Sequence, residues 1–169
     1  MQGILLLIRE QPKKATCVNN PRPPTRTLSC TEPTGFRVGE GFTPLYMAAP
    51  NGHVKVVEML LSADGIEVNK ANRDGETPLY AASRNDHVKV VEMLLNAEGI
   101  EVNKANRQNE SPLYIAAMRE HVKVVQMLLN AKGIEVNKLT KWGLNPLYTA
   151  AMLGHVKVVG TFSWVSGGK

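Results

Sequence analysis

The chain is 169 residues long, enough for one domain with length left over for a tail or linker. Its net charge of +5 is unevenly spread: residues 1–42 carry six Lys/Arg against three Asp/Glu, whereas residues 43–160 carry thirteen against twelve. The body of the chain is therefore close to neutral, and basicity makes only a weak case for a nucleic-acid partner. Cys17 and Cys30 form no CxxC and have no histidine at ligand spacing, so a disulfide framework or zinc site has little support and a reducing compartment, cytoplasmic or nuclear, is expected. The early apolar run GILLLI at 3–8 is too short for a signal peptide or a membrane span.

In chain order, residues 11–35 (QPKKATCVNNPRPPTRTLSCTEPTG) hold five prolines among Thr and Asn with no apolar period, so residues 1–38 are expected to form a disordered leader. From residue 43 the chain reads TPLYMAAPNGHVKVVEMLLSADGIEVNKANRDGE, and then repeats itself. HVKVVEMLL stands at 53–61 and again, unchanged, at 87–95; HVKVVQMLL follows at 121–129 and HVKVVG begins at 155. His53, His87, His121 and His155 are thus 34 residues apart, the mark of one unit copied along the chain.

Each unit opens on a helix cap followed by proline: Thr43-Pro44, Thr77-Pro78, Ser111-Pro112 and Asn145-Pro146. The cap side chain can accept from a free N–H of the first turn, and proline fits there because its missing donor would be unpaired anyway. Ala48-Ala49 allow close backbone approach, and Asn51-Gly52 offers a left-handed end, so this helix is short. The following Val-Lys-Val alternates like a strand, yet Lys55, Glu58 and Ser62 fall at helical spacing opposite Val54, Val57, Leu60 and Leu61. A second helix is predicted, ending near Gly65, Gly99 and Gly133 in successive units. GIEVNKANRDGE then has turn chemistry at both ends and reads as an arm that folds back before the next cap. The fourth copy departs after Val159, with Gly160 where Glu58, Glu92 and Gln126 stand, so its helix is expected to fray there into an irregular tail over 160–169.

The pattern TPLY-x-AA…GHVKVVEMLL…GIEVN…DG resembles the ankyrin repeat across residues 39–159. The resemblance implies an all-α solenoid of helix-turn-helix repeats with projecting β-turn fingers, about three full repeats (near 43–76, 77–110 and 111–144) plus one truncated (145–160). It also implies a curved inner face that binds another protein, and places Asn69, Asn103 and Asn137 where such repeats can be hydroxylated. Departures from the family pattern are the 34-residue period, Tyr46, Tyr80, Tyr114 and Tyr148 in place of its histidine, and Asp86 and Glu120 in place of its helix-ending glycine. Neither end shows a polar capping repeat, as expected of a piece of a longer array.

Repetition argues against catalysis. Equivalent residues in stacked helices lie about 10 Å apart, so the four histidines cannot converge on one metal, and they are expected to cap the second helices and bond to the preceding loop. No nucleophile elbow, phosphate loop or HExxH occurs, so no enzyme, cofactor, metal or small-molecule substrate is expected. Function is sought where the copies differ, and the first two differ at only eight of 34 positions, most of them in the first helix, its turn or the finger. The candidate partner-binding residues are Arg73, Asp74, Arg107, Gln108, Lys141 and Trp142 on the fingers, with Arg84, Met118, Arg119 and Met152 after the first helices. The expected role is a monomeric, non-catalytic protein-interaction module. A fragment lacking a complete binding surface, or a nucleic-acid binder using the basic leader, are the readings left beside it.

Overall fold

The computed structural model describes residues 42–166, so the expected leader at 1–38 lies outside the described residues. Four helix pairs follow one another: α1 (Pro44–Ala48) with α2 (Val54–Leu61), α3 (Pro78–Arg84) with α4 (Val88–Leu95), α5 (Pro112–Met118) with α6 (Val122–Leu129), and α7 (Pro146–Met152) with α8 (Val156–Ser166). First helices pack on first helices and second on second, which makes a stack; among the described residues there is no strand.

The caps work as the sequence indicates. Thr43 Oγ1, Thr77 Oγ1, Ser111 Oγ and Asn145 Oδ1 accept from the backbone N–H of Tyr46, Tyr80, Tyr114 and Tyr148 at 3.1, 3.1, 3.1 and 2.7 Å. Every first helix ends in one left-handed residue: Gly52 (φ 67°), Asp86 (φ 58°), Glu120 (φ 60°) and Gly154 (φ 74°). Asp86 and Glu120 hold this conformation without glycine, at a cost of roughly 1 kcal/mol each. The second helices stop at Leu61, Leu95 and Leu129, a few residues before the expected glycines, which lie instead in the turn beyond. Ser62, Asn96 and Asn130 occupy the C-cap, and such side chains compete with the backbone for its hydrogen bonds.

The core runs along the stack as one column. Val57, Val90, Val91, Leu94, Val124 and Leu128 are all fully buried. The tail departs from expectation: α8 continues through Gly160 to Ser166 instead of fraying. Phe162, 4 % exposed, takes the place that Leu94 and Leu128 hold in earlier copies, and the Thr161 hydroxyl donates to the Val158 carbonyl at 2.6 Å. Burial of that ring anchors the turn that glycine weakens.

Two substitutions test these features. A Cβ added at Gly160 meets nothing within 4 Å, so Gly160→Ala is expected to stabilise the protein by about 1 kcal/mol in chemical denaturation. The Ser83 hydroxyl is fully buried with no partner among the described residues, at a position where other copies carry Ala49, Ala117 and Ala151. Removing it in Ser83→Ala is expected to raise stability by about 1 kcal/mol.

Candidate partner-binding face

The finger before each first helix is a closed turn. In the first, Gly75 N–H donates to the Asn72 carbonyl and Asn72 N–H to the Glu76 carbonyl, both at 3.0 Å; the same pair of bonds recurs at 106–110 and at 140–144. Asn72 Oδ1 also accepts from the backbone of Asp74 and Glu76 at 2.9 Å, as Asn106 Oδ1 does from Gln108 and Glu110. Neighbouring fingers are then tied by their backbones: Arg107 N–H donates to the Asp74 carbonyl at 2.8 Å, and Lys141 N–H to the Gln108 carbonyl at 2.9 Å. Gly75 is needed at the first of these contacts, since its φ is 80° and a Cβ there would lie 2.9 Å from the Arg107 nitrogen. The tips therefore form a continuous edge with fixed spacing.

The tyrosines join this edge to the helices. Tyr46 Oη donates to Glu76 Oε2 at 2.7 Å and accepts from Asn72 Nδ2 at 2.8 Å; Tyr80 Oη does the same with Glu110 and Asn106 at 2.9 and 3.2 Å. Glu76 also receives the Arg84 guanidinium, whose carbon lies 6.0 Å above the Tyr80 ring. In the third finger Thr140 and Leu144 replace the Asn and Glu, and the Thr140 hydroxyl takes over only the turn bonds, from Trp142 and Leu144 N–H at 3.3 Å. Tyr114 accordingly has no such partner among the described residues.

The histidines do not cap their own helices. Their Nε2 atoms reach back 37 residues to the preceding repeat: His87 to the Pro50 carbonyl at 2.8 Å, His121 to Arg84 at 3.0 Å, and His155 to Met118 at 3.1 Å. Donation from Nε2 to a carbonyl fixes that tautomer and ties the repeats together at the ends of the first helices. Among the described residues no cluster of His, Cys, Asp or Glu could hold a metal, and no helix is long and apolar enough to cross a membrane.

The family model for ankyrin repeats in three copies matches residues 13–106 and again 98–162. The chain belongs to the ankyrin repeat family. No curated protein matches it. Ankyrin repeats generally serve as protein–protein interaction modules and are typically non-enzymatic. The matched stretch begins at residue 13, ahead of the described residues.

The sequence candidates lie on the finger tips and at the ends of the first helices. Arg73, Asp74, Arg107, Gln108, Lys141 and Trp142 are all exposed on the finger tips. Trp142 is 63 % exposed, so it does not fold down over the junction between the third and fourth repeats. Arg119 is exposed, Met118 half-buried, and Met152 61 % exposed. Arg84 is half-buried, and its charge is engaged by Glu76. Asn69 and Asn103 bridge successive loops, each donating to a glycine carbonyl (Gly99, Gly133) at 2.7 Å and accepting from a backbone N–H (Glu101, Glu135) at 2.9 Å. The Tyr–Glu–Asn junction escaped the sequence reading, although its signal was there: Asn and Glu recur four apart at 72/76 and 106/110 and disappear together at 140/144.

Burial pushes the Tyr46 and Tyr80 phenols well above the ordinary value near 10, and donation to Glu76 and Glu110 pushes them further. A phenol whose pKa is raised by folding adds stability that is complete below about pH 10 and is lost as pH climbs toward the folded value. The doubly substituted Tyr46→Phe, Tyr80→Phe protein is expected to melt lower at pH 7, by about 1 kcal/mol per hydroxyl. Its melting temperature should fall less steeply than that of the wild type above about pH 10.

Proposed function

We propose that this array is a non-catalytic protein-interaction module that holds its partner along the finger tips and the inner groove. The observation that carries the reading is Trp142: a large aromatic ring left 63 % exposed on a tip whose backbone is bonded both within its finger and to the one before it. The equivalent tip residues, Asp74 and Gln108, are polar, so the scaffold does not demand an aromatic there. Interfaces draw much of their energy from a few such rigidly presented Trp, Tyr and Arg side chains. Beside Trp142 stands the exposed cation Lys141, with exposed Arg107 at the equivalent place on the finger before it. That arrangement suits a protein with an apolar pocket flanked by carboxylates.

The test is recovery of the bound protein from nuclease-treated cell extract, followed by affinity measurement with the purified partner. Trp142→Ala is expected to weaken binding by about 2 kcal/mol, roughly thirtyfold, with an unchanged melting temperature. Equal affinity for the two proteins would overturn the role of the finger tip. Binding abolished by nuclease would favour nucleic acid instead.

A further inference from the structure

The first and fourth described repeats expose faces that are covered in the repeats between them. Where one repeat meets the next, the trailing tyrosine is covered: Tyr46, Tyr80 and Tyr114 are 5, 2 and 4 % exposed. At the fourth repeat the same position, Tyr148, is 57 % exposed, with Leu147 at 36 % and Val156 at 79 %. On the leading side Val90, Val124 and Val158 are fully buried by the repeat before them, whereas Val56 is 46 % exposed and Met59 beside it 48 %. The polar rungs stop in the same complementary way. His87, His121 and His155 each reach the carbonyl 37 residues earlier, the His53 side chain makes no hydrogen bond among the described residues, and the Met152 carbonyl is the next acceptor in the series.

We propose that a second copy of this chain docks head to tail, its first repeat seated on the fourth repeat of the copy before it. The residues themselves select this occupant. His53–Leu61 is identical to His87–Leu95, the segment that packs on the first repeat within the chain, and the receiving Pro-Leu-Tyr recurs unchanged at 146–148. The second copy thus offers the fourth repeat what the second repeat already offers the first: Val56 and Met59 for the apolar face, and His53 Nε2 for the Met152 carbonyl. A symmetric contact between two trailing faces does not bring His53 to that carbonyl. A head-to-tail dimer leaves one face of each kind free, so association grows with concentration rather than stopping at a dimer. It makes no use of the Trp142 side chain.

Sedimentation velocity on the full chain over a wide concentration range tests the proposal. The wild type is expected to rise progressively above the monomer mass. Val156→Glu blocks the trailing face and Val56→Glu the leading face, at positions exposed enough to accept the charge; each variant alone should remain monomeric with unchanged circular dichroism. Mixed in equal amounts they should form a heterodimer that grows no further, because each retains the face the other lacks. His53→Ala should weaken wild-type association roughly fivefold, the loss of one net hydrogen bond. A wild type monomeric at every concentration overturns the proposal. So does a mixture that fails to pair, or a single-face variant that still dimerises.

Discussion

Each 34-residue unit is too thin to own a core, so its two short helices must bury their apolar faces against the unit before and the unit after. The other features of the described fold follow from this dependence on neighbours. The first helices are only five to seven residues long, below the length at which a helix is stable alone, and they persist because Leu45, Leu79 and Leu113 are fully buried. The register must also stay constant, since a shift in one repeat would carry its apolar residues away from those that cover them. The unvarying period is the sequence-level expression of that packing requirement.

Burial of helix ends and tyrosine rings creates a second requirement, because polar groups withdrawn from water need partners. The fold meets it between repeats rather than within them. Tyrosine hydroxyls reach a glutamate 30 residues on, histidines reach a carbonyl 37 residues back, and asparagines link successive loops. These bonds are directional where apolar contact is not, so they fix how each repeat is placed on the last. The weaker third finger shows the same logic. With Leu144 in place of glutamate the finger has no carboxylate for Tyr114, and the tip carries the exposed tryptophan.

Positions free to vary are those that packing leaves to solvent, and the differences between copies collect on the finger tips and the turns after the first helices. Arg84 is an instructive exception. It stands where the first copy has Pro50, yet it answers a structural need by neutralising Glu76, which already accepts from Tyr46 and Asn72. A variable residue is therefore not automatically a contact residue. Trp142 is the stronger candidate because it is exposed and no such network consumes it.

The sequence by itself determined the unit and its length, the two helices in each copy with the cap and proline that start the first, and the left-handed glycine after the first helix at 52 and 154. These features are local: a cap, a proline or a glycine acts within a few residues of itself, so its effect can be read in place. Only the tertiary structure decided which carbonyls the histidines reach and where the tyrosines spend their hydroxyls, because these partners lie 30 to 37 residues away and become neighbours only once the repeats are stacked. For the same reason the sequence misjudged the end of α8. Gly160 weakens the helix locally, whereas Phe162 restores it through burial against the stack, a contribution that exists only in three dimensions.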